Sequence, residues 1–269
     1  VQKLTHIEHV LKRPDSYVGP VDLSSEPYWL HHKTDNKFKK KSVNYSPALL
    51  KIFDEILVNA IDRNSLYPKG VSSISAGIDK ETGAVTIENN GPLGGIAVKM
   101  HEKDGVWNPE LTFGHLLTST NYDDTKKRIV GGRNGYGAKL TNIYSSEFSV
   151  IIKDHENKKT YSQKWENNMT VCHPPKVTKH SGSTSSVSIT FVPDWKRFGM
   201  KKMDTNIYKI FEKRVWDANI CTTPNCKVKF QGEALPKTSF EAYAKMHEGV
   251  TDVCSVTTDR WSVCIGPSE

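Results

Sequence analysis

The sequence predicts an α+β fold, a mostly antiparallel sheet covered by helices on one face, and three observations predict it. A long amphipathic helix begins at Ser46-Pro47, a pair of alternating strands follows at 74–89, and from 147 onward period-two alternation recurs between Gly- and Asn-containing turns.

The elements follow in chain order. Residues 1–45 are polar, and apart from a helical patch over Leu4–Leu11 they are expected to be irregular, broken at Arg13-Pro14 and turned at Tyr17-Val18-Gly19-Pro20. Residues 1 to about 25 are the expected arm. Ser46 suits an N-cap and Pro47 the first helical position, after which Leu49, Leu50, Ile52, Phe53, Ile56, Leu57, Ala60 and Ile61 form one apolar face. The opposite face carries Lys51, Asp54, Glu55 and Asp62, with Asn59 near the border. Ile74, Ala76 and Ile78 alternate, Lys80–Gly83 turns, and Val85, Ile87 and then Asn89 make a second inward row. Short helices are expected over Leu111–Leu117 and from Gly137 through Tyr144, with a long polar loop between them.

Further on, Phe148, Val150 and Ile152, then Tyr161, Gln163 and Trp165, then Val187, Ile189 and Phe191 predict an antiparallel meander. A helix over Asp204–Ala218 packs through Ile207, Ile210, Phe211 and Val215, and a strand at Lys227–Phe230 rejoins the sheet. Residues 236–269, with a helix near Phe240–Met246 and a strand at Trp261–Ile265, are expected to begin a second domain after a first spanning 1–235.

Composition limits the possibilities. A chain of 269 residues, 36% hydrophobic, can bury the core of one large domain or of one domain and part of another. Lys and Arg number 37 against 30 Asp and Glu, and the resulting +7 favours polyanions such as DNA or nucleotides. The basic runs at 37–41, 126–128 and 196–202 read individually as solvated loops. Cys172, Cys221, Cys226, Cys254 and Cys264 lack C-x-x-C spacing, which reads as reduced intracellular thiols rather than a zinc site. Apolar runs such as Val150-Ile151-Ile152 are too short to span a membrane, and no signal segment opens the chain. A start without Met and an end at Pro267-Ser268-Glu269 are expected of a fragment.

Four stretches carry chemistry. Glu55, Asn59 and Asp62 fall on one helical stripe, which by itself is the wet side of an amphipathic helix. The chemical alternative makes Glu55 a general base on water and Asn59 an oxygen ligand to Mg²⁺, a hard cation. In Asn89-Asn90-Gly91-Pro92-Leu93-Gly94-Gly95-Ile96 an inward polar residue ends a strand ahead of a glycine turn; this is either a plain connection or a buried amide offered to an adenine edge. Gly131-Gly132-Arg133-Asn134-Gly135-Tyr136-Gly137-Ala138-Lys139 leads into a helix, where backbone N–H groups and two cations suit phosphate as well as a flexible loop suits solvent. It is neither a Walker A loop nor a dinucleotide fingerprint. Leu116 to Asp124 adds three hydroxyls and an amide that cap a turn or bind sugar and phosphate.

Together these stretches resemble the GHKL (Bergerat) nucleotide-binding α/β sandwich of gyrases, a chaperone family, mismatch-repair ATPases and histidine kinases. The run Phe-Gly-His-Leu-Leu-Thr-Ser-Thr-Asn-Tyr-Asp-Asp at 113–124 and Gly-Gly-Arg-Asn-Gly-Tyr-Gly-Ala-Lys-Leu at 131–140 narrow the resemblance to eukaryotic type IIA DNA topoisomerases. Phe-Asp-Glu-Ile-Leu-Val-Asn-Ala at 53–60 and Arg13-Pro14 with Tyr17-Val18-Gly19 resemble the same family, and the likeness covers essentially the whole chain.

The resemblance implies ATP and Mg²⁺, with Glu55 as general base, Asn59 on the metal and Asn89 on adenine. It implies that Ser119, Thr120 and Asn121 meet ribose and phosphates. Gly132, Arg133, Asn134, Gly135, Tyr136, Gly137, Ala138 and Lys139 would wrap the triphosphate, with Arg133 and Lys139 balancing its charge. It further implies a homodimer formed through this domain, double-stranded DNA as partner, a nuclear or organellar location and no membrane. Residues 236–269 would begin a transducer domain whose phosphate-binding lysine, like the DNA-cleaving tyrosine, falls after residue 269. Two departures from the family stand out: Pro92, Leu93 and Gly94 lengthen the glycine turn and Ala97 replaces its Pro, and Val187 stands where a Thr is usual, flanked by Ser186 and Ser188. The rival readings are a chaperone or mismatch-repair ATPase of the same fold, and a non-catalytic DNA clamp.

Overall fold

The computed structural model describes residues 2–116, 118, 135–258 and 261–267. The chain opens with α1 (His6–Lys12), whose start is closed by a reciprocal pair: Glu8 N–H donates to Thr5 Oγ1 at 3.2 Å and Thr5 N–H to Glu8 Oε2 at 2.7 Å. Next comes a hairpin of β1 (Ser24–His32) and β2 (Lys37–Tyr45), so the expectation of an irregular stretch to residue 45 is corrected. Its apolar positions Leu30, Phe38, Val43 and Tyr45 are buried while the lysines between them face outward, and the hairpin lies against a later helix.

Helix α2 (Pro47–Leu66) starts where expected, with Ser46 Oγ accepting from Leu49 N–H at 3.4 Å, and extends one turn further than its apolar row alone required. Strands β3 (Ser73–Ile78) and β4 (Val85–Gly91) pair antiparallel. Helix α3 (Asn108–Gly114) begins three residues earlier than the sequence suggested, with Pro109 at its start, and α4 (Gly137–Ile143) follows. Then come β5 (Ser145–Asp154), β6 (Lys159–Glu166), the short β7 (Val171–Cys172) and β8 (Lys176–Lys179), and β9 (Ser185–Pro193). Helix α5 (Thr205–Cys221) is capped by Asp204 Oδ1, which accepts from Ile207 N–H at 2.8 Å. The chain finishes with β10 (Lys227–Phe230), β11 (Glu233–Ala234), α6 (Phe240–Ala244), and a ribbon of β12 (Cys254–Thr257) and β13 (Ser262–Ile265).

Among the described residues the main sheet has nine strands, with eight in the order β11-β10-β3-β4-β9-β5-β6-β7 and β8 alongside β6. The simple meander is thus corrected: β9 inserts between β4 and β5. All pairings are antiparallel except β10 with β3. Along β3 and β4 buried and half-exposed positions alternate, so one face of each strand carries the core. Helix α2 stacks on α5 through Phe53 and Phe211, whose rings are parallel within 6° at 4.0 Å. It is joined to α4 where Thr141 Oγ1 donates to the Ile52 carbonyl at 2.8 Å. Residues 235–247 lie against α5 and the hairpin, with Phe38, Trp216, Tyr243 and Met246 forming a second buried cluster.

Candidate active site

The site is built on α2, the end of β4 and the head of α4. Glu55 leaves the solvent-facing side of α2, where Lys51 one turn earlier pairs with its Oε1 at 2.5 Å. Its other oxygen lies against Gly137: a Cβ at that position would overlap Oε2. The Thr141 bond to the Ile52 carbonyl holds α4 against α2 and so sets Gly137 beside Glu55. Asn59 follows one turn beyond Glu55 and is exposed. Asp62, half-buried, has its carboxyl pushed up by burial and then by the nearby charge of Glu55.

Asn89 is 8% exposed and sits on β4 between Ile74 of β3 and Val187 of β9. Its amide nitrogen donates to the Gly94 carbonyl at 2.6 Å, so the protein itself supplies one partner that the sequence reading assigned to a ligand. Val187 is buried and places a methyl-bearing side chain opposite Asn89. Ser186 and Ser188 pair instead with Asn90 and Glu88, and alternation turns their hydroxyls to the other face, so neither replaces a hydroxyl at 187.

Lys139 is 2% exposed. Its ammonium donates to the Thr118 carbonyl at 2.7 Å, Thr118 Oγ1 at 2.8 Å and the Gly135 carbonyl at 2.5 Å, tying together the residues on either side of 119–134. No carboxylate pairs with it among the described residues, and burial alone pushes its pKa down to about 8. It is thus a buried cation held by neutral oxygens, an arrangement that suits an incoming anion. Tyr136 is half-buried and meets Tyr17 edge-on at 6.2 Å, which brings the arm to the same turn. Ala138 is buried on α4, and Gly135 is half-buried with φ +65°. Ser119, Thr120, Asn121, Gly132, Arg133 and Asn134 lie outside the described residues.

Sequence reasoning missed Arg63, the next residue in the i, i+4 series from Glu55 and Asn59. Its Nε donates to the Leu93 carbonyl at 2.7 Å and its Nη2 to the Gly95 carbonyl at 2.9 Å, while the guanidinium lies 4.4 Å from the Tyr67 ring centre. The spacing was visible. Its acceptors are main-chain oxygens, which no sequence pattern advertises.

All five cysteines are free. No helix among the described residues is long and apolar enough to cross a membrane. Among those residues no group of three or more His, Cys, Asp and Glu could hold a metal ion.

No family model matches the chain. It is 43% identical over 246 residues to DNA topoisomerase 2 of Candida glabrata and 38% identical over 278 residues to that of Arabidopsis thaliana, covering 91% and 100% of this chain. The chain spans only 17% and 18% of the length of those relatives. The ATPase region of Saccharomyces cerevisiae topoisomerase II superposes with a TM-score of 0.95 at 39% identity, covering all of this chain and 71% of that one. The ATPase and transducer domains of Balamuthia mandrillaris DNA topoisomerase II give 0.93 at 40% identity, over all of this chain and 68% of that one. Likeness of this extent, in a fold that brings Glu55 of the E-x-x-x-N helix against the glycine turn at 137, leaves one assignment: the chain belongs to the topoisomerase II family and corresponds to its ATPase region.

Proposed function

We propose that this chain binds ATP with Mg²⁺ and hydrolyses it, and that in the whole protein this drives dimer closure around double-stranded DNA and passage of one duplex through another. The observation that carries the reading is the packing of the Glu55 carboxylate on Gly137 at the head of α4, with Lys139 buried two residues on and, among the described residues, held by neutral oxygens.

In this reading Glu55 takes the proton of the attacking water as that water's oxygen bonds to the γ-phosphorus and the bond to the β-γ bridging oxygen breaks. Lys51, paired with the other carboxylate oxygen, fixes how the carboxylate is oriented. Gly137 gives that carboxylate room at the head of α4, whose free N–H groups face the phosphate chain. Lys139 contributes positive charge, exchanging one of its three neutral acceptors for a phosphate oxygen. Mg²⁺, when bound, neutralises phosphate charge, and Asn59 is the residue that would hold it. Asn89 meets the adenine edge. Ser119, Thr120 and Asn121 take ribose and phosphate, and 132–139 closes over the triphosphate, Arg133 adding charge. Residues 236–269 begin the transducer, and the whole protein works in the nucleus.

Calorimetric titration of this chain with ATP and a non-hydrolysable analogue, with and without Mg²⁺, tests the reading. Saturable binding strengthened by Mg²⁺ is expected, and absence of binding in every condition overturns it.

A further inference from the structure

The glycine turn after Asn89, longer than the resemblance implies, is pinned to the residues at 70–72. Leu93 N–H donates to the Gly70 carbonyl at 2.8 Å, and Ser72 N–H donates to the Asn90 carbonyl at 2.7 Å. Leu93 packs where Gly70 leaves room: a Cβ at 70 would come within 2.7 Å of Leu93 Cβ. Gly91 makes the bend with φ +149°, a value that side-chain-bearing residues rarely adopt. Three successive carbonyls of the turn are then claimed by side chains, those of Leu93 and Gly95 by Arg63 and that of Gly94, between them, by Asn89.

This arrangement fixes which end of the Asn89 amide faces outward. A carbonyl acceptor takes only the NH₂ end, so the bond to Gly94 leaves Oδ1 as the open group, and no described residue donates to it. An open acceptor matches the exocyclic amine of adenine and opposes the O6 acceptor of guanine. Arg63 makes no contact with Asn89 in the hydrogen-bond network; it holds the two carbonyls that flank the one Asn89 uses. We infer that Arg63 is a positioning residue for base selection: by clamping Leu93 and Gly95 it keeps the Gly94 carbonyl aimed at Asn89, which then presents an acceptor and admits adenine over guanine. The inference rests on the nucleotide reading given above. It adds a residue and a specificity to that reading.

The test compares the affinities of this chain for ATP, GTP and inorganic tripolyphosphate, all with Mg²⁺, before and after Arg63→Ala and Arg63→Lys. A lysine keeps the charge but, with one nitrogen in place of a planar fork, does not reproduce the two-carbonyl clamp. The unaltered chain is expected to prefer ATP to GTP. Both variants are expected to narrow that preference by roughly tenfold, the scale of losing one oriented hydrogen bond, with tripolyphosphate affinity unchanged. The Asn89 side-chain amide resonances should move in parallel, a signal that general loosening elsewhere leaves alone. Should Arg63→Ala fail to fold, Arg63→Lys decides the matter alone. An unchanged ATP to GTP ratio overturns the inference and leaves the nucleotide reading standing, and so does an equal loss for all three ligands. Failure of the unaltered chain to bind ATP removes both.

Discussion

The carboxylate of Glu55 occupies the space into which any side chain at Gly137 would project. Gly137 has an ordinary helical backbone, so alanine is excluded there by Glu55 and not by conformation. Gly137→Ala should therefore destabilise the fold by about 1–3 kcal/mol through overpacking. In a Glu55→Ala background the same change should be neutral, or stabilising by up to about 1 kcal/mol from helix propensity. Urea unfolding of the four proteins measures the coupling, and additive effects would mean that the two residues do not touch.

Glu55→Ala should leave ATP affinity within a few-fold and reduce turnover by about 10²–10⁴-fold, the usual contribution of a general base. The measurement is steady-state phosphate release in the whole protein alongside direct binding. Undiminished hydrolysis would take Glu55 out of the mechanism.

Lys139 makes a prediction about pH. Its folded pKa of about 8 lies below its ordinary 10.5, so between those values the unfolded chain holds a proton that the folded chain has released. This group therefore makes stability rise with pH from about 8 to 10.5, and below about 8 the cost of burying its charge is present in full. Lys139→Met should remove that rise. A bound triphosphate should draw the proton back, so ATP binding at pH 8 should take up roughly half a proton. Calorimetry in buffers of different ionisation heat reads the uptake, and an equal uptake by Lys139→Met would assign it elsewhere.

Arg214 joins two helices: Nε donates to Asp54 Oδ1 at 2.9 Å and Nη1 to Asp217 Oδ2 at 2.6 Å. The Asp54 carboxyl is pushed up by burial despite the counteracting charge of Arg214. Arg214→Ala should cost about 3 kcal/mol near neutrality, because it leaves a part-buried carboxylate uncompensated. Without the guanidinium that carboxyl rises further, so the folded state holds its proton to higher pH and the penalty should shrink on acidification. Chemical unfolding at pH 5 and pH 7.5 compares the two, and an equal penalty at both would place the loss in packing alone.

Much of the architecture was legible in the sequence because burial repeats at the period of the local element. Helix α2 announced itself through Ser46, Pro47 and an unbroken apolar face, and β3 and β4 through clean alternation ending at Asn89. The β1–β2 hairpin was not legible, because its few apolar side chains are separated by lysines, and one inward position is His31, buried against Glu212. Nor did alternation reveal that β9 inserts between β4 and β5, since period two identifies a strand but not its neighbours. At the site, the E-x-x-x-N spacing picked out Glu55, which the structure brings against Gly137. The work of Arg63 and the internal partner of Asn89 stayed hidden because both involve main-chain carbonyls brought near by the folding of a loop.

Phe38 exchanges two main-chain hydrogen bonds with the segment ahead of the β12–β13 ribbon, donating to Met246 at 2.7 Å and accepting from Glu248 at 2.9 Å. Its ring lies against Trp216 of α5, and Arg214 of that helix grips Asp54, the residue before Glu55. Tension applied at the ribbon would thus load that short splice in shear, and α5 would deliver the pull to the turn of α2 that carries the carboxylate at 55.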